Sequence, residues 1–376
     1  MRIGVVAYEL EGSRSGVGRY LEGLLTGITE LEHDSEWHLF LKGEPFDSPL
    51  FQSRPTGPRI VPHFDGRPKG SVILWEQLRL PALIRRAEVD AVVSPGYSLP
   101  PFVGVPRMVT LHDLSFEHLG SEFAVKERWR RRILARLAAR RGDRVLADTA
   151  AIAGDLQRTY GIAESKIGVV PLAVDEHFFQ PDTDADLTEL GIEGPYLLHL
   201  GTLLPRRCLS LILEAFAAVS PRFPELKLVL AGQNHLPDPL VLDRSISAAG
   251  LINRVIRLDY VPEQALTTLY ARARASFYLS TYEGYGLPPL ESLAAGTPAL
   301  VSGGLALDDL APRYPWRTEL DLTSVTATLE RILKHEDPAA SIRDARDAIH
   351  ALTWRQCAER YIAQLKKAMA NRGNRS

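Results

Sequence analysis

The chain has 376 residues, of which 45% are hydrophobic, and its formal net charge is −2. This size and composition predict two folded domains and exclude extended disorder, and the near-neutral charge argues against a general nucleic-acid binder, which needs clustered excess Lys and Arg. The two cysteines, Cys208 and Cys357, form neither a zinc pattern nor a disulfide framework, so a reducing compartment, by default the cytoplasm, is expected. No signal peptide is expected, and no apolar run approaches the roughly 18 residues that span a bilayer.

The first third of the chain alternates strand and helix patterns. Residues 3–7 form an apolar run, a polar loop with Gly16 and Gly18 follows, and residues 20–28 carry apolar side chains at helical spacing. This loop is only superficially like the dinucleotide-binding Gly-x-Gly-x-x-Gly, so a dinucleotide-dependent enzyme is disfavoured. The alternation predicts a parallel α/β sheet. The further predicted elements are strands at 37–41, 59–61, 91–94 and 107–111 and a helix at 72–87.

One histidine, His112, directly follows the predicted strand 107–111. In a parallel sheet this is the carboxyl end of a strand, where ligands of open α/β folds bind. A buried structural histidine is the ordinary explanation of an isolated His at such a position. From its position alone, both interpretations stay open.

Residues 126–144 hold eight arginines around Trp129, Ile133, Leu134 and Leu137. We interpret this segment as a basic amphipathic helix. It could lie on anionic lipid or on a lipid-diphosphate acceptor. The alternative is a solvated helix that packs its Leu and Ile stripe on the sheet.

The second half of the chain repeats the strand, turn and helix pattern. A strand at 196–200 leads into a turn that ends in Arg206 and Arg207, and a helix then runs through Ala217. Each such junction places backbone N–H groups at a helix start. The other predicted strands are at 226–231, ending at Gly232, within 254–261, at 275–279 and at 299–302.

The most informative stretch follows the predicted strand 275–279. A glycine loop leads into a short helix at 287–295, and Gly296 stands where a left-handed cap is expected. Such a junction offers N–H groups and the positive end of a helix dipole to phosphate or sugar oxygens. Glu283 and Glu291 flank it, and a carboxylate beside an anion is costly unless it accepts bonds from hydroxyls, so the pattern favours a nucleotide sugar. The alternative is a Glu that stabilises the helix dipole beside a structural glycine turn.

The stretch Glu283-Gly-Tyr-Gly-Leu-Pro-Pro-Leu-Glu291 resembles the Glu-x7-Glu segment of the family-4 glycosyltransferases, which are retaining enzymes of the GT-B fold. The resemblance extends over nearly the whole chain. It implies an α/β fold of two Rossmann-like, doubly wound parallel-sheet domains that face a central cleft. The implied domains are 1–178 on the acceptor side and 179–352 on the nucleotide-sugar side, with 353–376 as a helix that returns to the first domain.

The resemblance also implies roles for individual residues. Arg207 stands where the family usually carries a Lys that grips the donor diphosphate, and Arg could do so in a bidentate fork. His112 would border the donor sugar as a neutral imidazole oriented by Asp113, and Glu291 would hold the ribose. The implied catalytic residues are His112, Glu283 and Arg207. The implied donor contacts are Gly16, Gly18, Arg206, Arg207, Gly232, Tyr260, Val261, Glu283, Gly284, Tyr285, Gly286, Leu287 and Glu291, and the implied acceptor contacts are Arg19, Tyr97 and Asp113.

Two further segments, 75–81 and 94–101, resemble a polysaccharide-type subgroup, many members of which use GDP-mannose. We therefore expect retaining transfer from a GDP-mannose-like or UDP-sugar donor to a glycan or lipid-linked acceptor in cell-surface polysaccharide synthesis. No cofactor or metal is expected, and contact of 126–144 with the inner membrane surface is the accompanying hypothesis. The alternatives are a nucleotide-sugar 2-epimerase or phosphorylase of the same architecture, or a catalytically silent sugar-nucleotide-binding homologue. The silent homologue is permitted by two departures from the family pattern, namely Arg207 where Lys is usual and Asp259 where Gly is common.

Overall fold

The computed structural model of the chain describes residues 1–12, 16–52, 57–335 and 337–373. Within these ranges the strands are β1 (Arg2–Val6), β2 (Glu36–Leu41), β3 (Arg59–Phe64), β4 (Ala91–Ser94), β5 (Arg107–Thr110), β6 (Arg144–Ala147), β7 (Ile167–Val169), β8 (Tyr196–Leu200), β9 (Lys227–Ala231), β10 (Val255–Leu258), β11 (Ala275–Tyr278) and β12 (Ala299–Val301). The helices are α1 (Gly16–Thr29), α2 (Val72–Leu74), α3 (Leu80–Arg86), α4 (Ser115–His118), α5 (Val125–Arg141), α6 (Ala150–Tyr160), α7 (Leu209–Val219), α8 (Val241–Ala248), α9 (Glu263–Ala271), α10 (Leu287–Ala294), α11 (Ala306–Leu310), α12 (Leu322–Leu333), α13 (Pro338–Ser341), α14 (Arg343–His350) and α15 (Trp354–Gly373).

The chain divides into two units. Unit 1 comprises Met1–Ala173 and the segment that begins at Leu352, and unit 2 comprises Val174–Ala351. Unit 1 contains a seven-stranded sheet in the order β3-β2-β1-β4-β5-β6-β7, and unit 2 a five-stranded sheet in the order β10-β9-β8-β11-β12. All strand pairs in both sheets are parallel. The predicted fold class, two Rossmann-like parallel-sheet domains, is confirmed.

The strands are short, and most are buried, whereas the edge strands β3 and β10 are partly exposed. Every residue of β4, β6, β11 and β12 is buried, and apart from Arg144 at the start of β6 their sequences are continuous runs of small or apolar side chains. Such runs are typical of parallel strands, because helices cover both faces of the sheet. The strand order reverses between β1 and β4 in unit 1 and between β8 and β11 in unit 2. Ligands of open α/β sheets bind at the carboxyl ends of the strands at such a reversal.

The C-terminal helix α15 packs against α1 within unit 1. Two glycines on α1 allow this contact: a Cβ on Gly23 would lie 2.2 Å from Cε2 of Trp354, and one on Gly27 would lie 2.2 Å from the Trp354 carbonyl oxygen. Farther along α15, Gln364 Oε1 accepts a hydrogen bond from Arg144 Nε at 2.7 Å. The predicted return of the C-terminal helix to the first domain is confirmed.

The basic segment 126–144 differs from its prediction. Helix α5 ends at Arg141, and Arg144 lies on β6, where its guanidinium donates to the carbonyls of Ser165 and Ile167. Three alanines of α5 are buried, whereas four of its larger apolar side chains are exposed and Leu134 is half-buried. The alternative interpretation, a helix that packs its Leu and Ile stripe on the sheet, is therefore wrong for Ile133 and Leu137, because this helix approaches the core through its smallest residues. The buried set is Ala135, Ala138 and Ala139, and the exposed set is Val125, Trp129, Ile133 and Leu137.

The predicted helix 72–87 is interrupted. It begins with α2, continues through a π-helical turn at Trp75–Arg79 and ends with α3. Such turns are rare and are commonly found near functional sites.

Among the described residues, no helix combines the length and the apolar composition that crossing a membrane requires.

Candidate functional site

The residues predicted to bind the donor in unit 2 follow the carboxyl ends of its parallel strands. Arg206 and Arg207 follow β8, Gly232 follows β9, and Tyr260 and Val261 follow β10. The segment Glu283, Gly284, Tyr285 and Gly286 follows β11 and leads into α10 at Leu287. The site therefore spans the reversal of strand order between β8 and β11.

Glu283 and the two arginines are in direct contact at this reversal. Arg207 NH1 lies 2.9 Å from Glu283 Oε1, and Arg206 Nε lies 3.4 Å from the same oxygen. The side chains of Glu283 and Arg207 are 8% and 10% exposed. The Arg206 carbonyl also accepts a hydrogen bond from the Thr281 amide at 3.0 Å. The loops after β8 and β11 are thus joined by a backbone hydrogen bond and by ion pairs.

Two hydroxyl groups complete the surroundings of Glu283. Ser280 Oγ donates to Glu283 Oε1 at 2.7 Å, and the Tyr278 hydroxyl donates to Oε2 at 3.0 Å. The Tyr278 ring lies beneath the Arg207 guanidinium, with 4.3 Å between Cζ and the ring centroid. Burial raises the pKa of Tyr278, so its hydroxyl stays a donor. Both carboxylate oxygens of Glu283 are consequently engaged by protein donors.

A buried histidine lies on the strand below Arg207. His199 on β8 is fully buried, and burial, reinforced by the nearby Arg207 charge, lowers its pKa to about 3. His199 is therefore neutral at physiological pH. The guanidinium of Arg207 thus remains the positive group at this point of the site.

Two glycines of the site are required by close packing. Gly286 precedes α10 with φ +82°, and a Cβ there would lie 2.8 Å from Leu305 Cδ2. Gly232 has φ +144°, and a Cβ there would lie 2.1 Å from the Gly201 carbonyl oxygen. A side chain at Gly232 would force the loops after β8 and β9 apart, and one at Gly286 would require a strained left-handed conformation and a shift of Leu305 after β12.

The other predicted donor residues differ in their exposure. Glu291 on α10 is 1% exposed, and its Oε2 accepts from the Tyr270 hydroxyl at 3.0 Å. Tyr260 is 75% exposed, and Val261 beside it is partly exposed. The structure thus places Glu291 inside unit 2 and Tyr260 at its surface. Gly296 adopts the predicted left-handed conformation after α10, with φ +88°.

In unit 1, His112 follows β5 and is held at both ring nitrogens. Nδ1 lies 2.7 Å from Asp148 Oδ2, and Nε2 lies 2.8 Å from the Pro95 carbonyl oxygen. Both partners are acceptors, so both ring nitrogens donate only if the ring is a protonated imidazolium. Burial alone would lower the pKa of His112, but the Asp148 carboxylate and the Pro95 carbonyl outweigh it and raise that pKa.

This arrangement corrects two expectations. No nitrogen of the imidazole is available for a sugar hydroxyl as expected, because both are engaged within unit 1. Asp113 does not orient the ring either: its Oδ1 accepts from the Ser115 amide at 3.0 Å and from Ser115 Oγ at 2.9 Å. Asp148, at the end of the neighbouring strand β6, takes that position instead.

The remaining predicted residues of unit 1 lie near the same edge of the sheet. Tyr97, on the loop after β4, packs edge-on against Phe116 at 5.3 Å, and burial followed by the Asp113 charge raises its pKa. Gly16, Gly18 and Arg19 lie in the first turn of α1. The predicted glycine loop also contains residues 13–15, which lie outside the described residues.

The sequence did not predict the side chains that hold Glu283, Glu291 and His112 in place. These are Tyr278 and Ser280 around Glu283, Tyr270 at Glu291, and Asp148 at His112. Asp148 could have been found, because it directly follows the apolar residues 145–147, and parallel neighbouring strands bring their carboxyl ends to one edge. Among the described residues, no group of three or more His, Cys, Asp or Glu side chains is arranged to hold a metal ion.

In a comparison with known proteins, each unit matches a family model of glycosyltransferases. The family model for "Glycosyltransferase Family 4" matches residues 14–178, and that for "Glycosyl transferases group 1" matches residues 183–308. The chain is 25% identical to MMP α-(1→4)-mannosyltransferase of Mycolicibacterium hassiacum, over 98% of this chain and 99% of that protein.

Solved structures share the fold. Sucrose-phosphate synthase of Thermosynechococcus elongatus superposes with a TM-score of 0.76 at 18% identity, covering 98% of this chain and 99% of that one. Anabaena HepE, solved in complex with UDP and glucose, superposes with a TM-score of 0.72 at 17% identity, covering 97% and 99%. The two family models together cover most of the chain, and each unit has the parallel sheet that the GT-B fold requires. The chain belongs to the family-4 glycosyltransferases, enzymes of the GT-B fold.

Proposed function

We propose that this glycosyltransferase moves a sugar, with retention of anomeric configuration, from a nucleoside diphosphate sugar bound by unit 2. The observation that carries the proposal is the buried Arg207, stacked on Tyr278 and paired with Glu283 where the strand order of unit 2 reverses. A guanidinium held in this way suits a diphosphate, because it is charged at all relevant pH values and binds two oxygens in one plane. The Anabaena HepE structure holds UDP in a protein of the same fold, which supports the proposal.

Arg207 would stabilise the leaving diphosphate. Negative charge grows on the diphosphate as the glycosidic bond breaks, and a fixed positive group meets that charge without rearrangement. The positive end of the α7 dipole, which begins directly after Cys208, would add to the effect. In this proposal guanidinium groups, and not a metal ion, compensate the leaving group. Arg206, the second guanidinium at Glu283, would be the auxiliary contact.

Glu283 would act mainly by holding Arg207 in place. Its two oxygens already accept from Ser280 and Tyr278 and pair with the arginines, so it is poorly suited to attack the sugar carbon. The double displacement of retaining hydrolases needs a carboxylate nucleophile about 5 Å from a second carboxyl group. Retention is therefore proposed to follow from departure of the diphosphate and attack of the acceptor hydroxyl on the same face of the sugar, with the hydroxyl proton passing to an oxygen of the departing diphosphate.

The donor's other parts would meet residues at the same edge of unit 2. Glu291 is proposed to accept from the ribose hydroxyls, and the exposed Tyr260 with Val261 to lie against the base. Pro288 and Pro289 carry no N–H, so the main-chain donors would come from Gly284, Tyr285, Gly286 and Leu287.

Unit 1 would supply the acceptor contacts Arg19, Tyr97 and Asp113 and the donor contacts Gly16 and Gly18. His112, as an imidazolium, would place a buried positive charge at the carboxyl edge of this unit. The name of the Mycolicibacterium relative supports a mannose-type donor. We propose a glycan or lipid-linked acceptor of cell-surface polysaccharide synthesis, with the enzyme in the cytoplasm and segment 126–144 on the inner membrane surface.

Thermal unfolding with GDP, UDP and ADP tests the donor assignment. A nucleotide at a hundred times its Kd stabilises the folded state by about 2.7 kcal/mol, so one base should raise the Tm by a few degrees above the others. Glu291→Ala should reduce that rise and increase the donor KM. If no nucleoside diphosphate changes the Tm of the unaltered protein, the donor site has been assigned wrongly.

Turnover distinguishes the alternative enzymes. The proposal expects sugar transfer from the stabilising nucleotide's mannose or glucose derivative, with the donor's anomeric configuration kept in the product by proton NMR. Donor consumption without acceptor would favour an epimerase, and dependence on inorganic phosphate would favour a phosphorylase. Nucleotide binding without consumption of any donor would favour a catalytically silent homologue.

A further inference from the structure

A continuous group of apolar side chains faces solvent on unit 1. On α5, Trp129, Ile133 and Leu137 are four residues apart and therefore lie on one side of the helix. They are 57%, 54% and 38% exposed. Since α5 buries alanines, its outward side carries large apolar side chains that remain exposed. Such a cluster on a soluble surface usually marks an interaction site.

Two neighbouring segments extend this group. The π-helical turn, the loop after β4 and helix α5 meet at a groove. Its lining includes Gln77, Leu99, Pro101, Leu134 and Leu137. The residues next to this groove, Leu78 and Phe102, are 75% and 85% exposed. We call Leu74, Leu78, Phe102, Trp129, Ile133 and Leu137 the outer apolar face.

Phe102 is held outward by its backbone. It has φ +55°, a left-handed conformation that bulky residues rarely adopt, and it follows two prolines that restrict the loop. An exposed phenyl ring at the tip of a restricted loop has no role in the core of unit 1. Both the strain and the exposure are explained if the ring enters an apolar environment outside the protein.

The charge around the outer apolar face is strongly positive. Helix α5 carries eight basic side chains and one acidic one, although the whole chain has a net charge of −2. Arg130 and Arg131 pair with Glu127. Lys126, Arg140 and Arg141 are exposed, and no acidic side chain of the described residues pairs with them. Basic and large apolar side chains thus alternate on the same outward surface.

We propose that the outer apolar face docks unit 1 on an anionic lipid bilayer, with Phe102 and Trp129 entering the interfacial region and the α5 cations contacting lipid phosphates. Aromatic and aliphatic side chains enter the acyl boundary while Lys and Arg remain at the headgroups. A second copy of this chain fits poorly, because a two-fold contact would oppose two strongly basic helices. A nucleic acid fits poorly as well, because four of the six apolar side chains are aliphatic and cannot stack on bases.

This inference deepens the proposed function, on which it rests for the lipid-linked acceptor. The loop that carries Phe102 also carries Tyr97 and the Pro95 carbonyl that holds His112. Arg131 of α5 lies 5.9 Å from the Tyr97 ring centroid. Docking would therefore present the predicted acceptor residues of unit 1 close to the membrane surface.

Vesicle partition tests the proposal. Full-length protein should sediment with vesicles of phosphatidylglycerol and phosphatidylcholine but only weakly with phosphatidylcholine alone, and rising salt should release it. The triple variant Trp129→Ser/Ile133→Ser/Leu137→Ser and the triple variant Lys126→Glu/Arg140→Glu/Arg141→Glu should each lose about tenfold or more in partition. The matched control Leu240→Ser/Ile252→Ser, which alters exposed apolar residues of unit 2, should bind like the unaltered protein.

Fluorescence gives a second measurement. Trp129 is far more exposed than Trp37, Trp75 and Trp316, so a blue shift on vesicle binding that Trp129→Phe removes would assign insertion to this helix. Equal partition of the apolar triple variant and the unaltered protein would overturn the proposal. So would partition that is absent at every lipid composition, or a dimer that the triple variant abolishes.

The same variants separate this proposal from the proposed function. All these substitutions lie outside the donor residues, so the nucleotide-dependent rise in Tm and turnover with a water-soluble acceptor should stay normal. Intact turnover without vesicle binding would overturn the docking face alone. Vesicle binding without any nucleotide effect would instead overturn the donor assignment and leave the docking face standing.

Discussion

His112 in unit 1 and Glu283 in unit 2 both lie beyond the carboxyl end of a parallel strand, but they are held in opposite ways. Glu283 follows β11, at the reversal of strand order in unit 2, and His112 follows β5, one strand beyond the reversal in unit 1. His112 is surrounded by acceptors, namely the Asp148 carboxylate and the Pro95 carbonyl. Glu283 is surrounded by donors, namely two arginines and two hydroxyls. Each unit therefore surrounds one buried titratable side chain with hydrogen-bonding groups of the opposite kind.

The difference shows what each unit leaves for a ligand. In unit 2 both oxygens of the Glu283 carboxylate are bound by neighbouring groups of the protein. The group suited to an anionic ligand is therefore the Arg207 guanidinium that Glu283 holds. In unit 1 both nitrogens of the His112 ring are engaged, so the ring offers its surroundings no further hydrogen bond. Buried charges are tolerated only when paired and hydrogen-bonded, and removing one member of either group should therefore affect the rest.

The largest effect is expected from the cation of unit 2. Arg207→Ala should lower kcat/KM by an amount equivalent to about 2 to 4 kcal/mol of transition-state stabilisation, because the leaving diphosphate loses its fixed positive partner. Steady-state kinetics with the donor identified by thermal shift would measure this. Arg207→Lys keeps the charge without the planar fork, so its kcat/KM should lie between those of the unaltered protein and Arg207→Ala. Arg206→Ala should lower kcat/KM less than Arg207→Ala, because the Arg206 nitrogen lies farther from Glu283. A near-normal rate for Arg207→Ala would contradict the diphosphate assignment.

The second effect concerns the charge of unit 1. Asp148→Asn should lower the pKa of His112 below its usual value of 6.5, because burial then outweighs the remaining carbonyl contact. Titration of the His112 ring by NMR would measure this change. Ring nitrogens of the unaltered protein should stay protonated above pH 6.5. A variant whose His112 titrates like the unaltered protein would show that Asp148 is not its charge partner.

The same pair predicts a pH dependence of stability. The pKa of His112 in the folded protein is raised, so its contribution is fully present below the unfolded value of 6.5 and is lost as pH rises through the folded value. The difference in Tm between the unaltered protein and Asp148→Asn should therefore shrink as pH rises above 6.5. A difference that grows over this range would contradict the ion pair.

The smallest effect is expected from a single hydroxyl at Glu283. Tyr278→Phe keeps the ring beneath Arg207 but removes one donor, which should destabilise unit 2 by about 1 kcal/mol and lower kcat/KM modestly. Tyr270→Phe is the matched variant, since it removes the donor at Glu291. It should act on donor KM and not on kcat. Identical kinetic effects from both variants would show that the two carboxylates do not have separate roles.

Local patterns in the sequence determined the architecture. Short apolar runs separated by helical spacing predicted two parallel sheets, and the glycines and prolines after 275–279 predicted the loop and the helix α10. Gly286 and Gly296 have the left-handed conformations that such turns require. These features depend on backbone geometry within a few residues, which composition and periodicity encode directly.

The tertiary structure alone decided which groups meet. Asp148 reaches His112 because β5 and β6 are neighbours, although the two residues are 36 positions apart. The Glu283 and Arg207 pair depends likewise on the adjacency of β8 and β11. The outward rotation of α5 follows from the close fit of its alanines against the core, which the spacing of Trp129 and Ile133 could not reveal. Strand order and packing density are properties of the whole chain, so no local pattern specifies the partner of a side chain or the face that a helix buries.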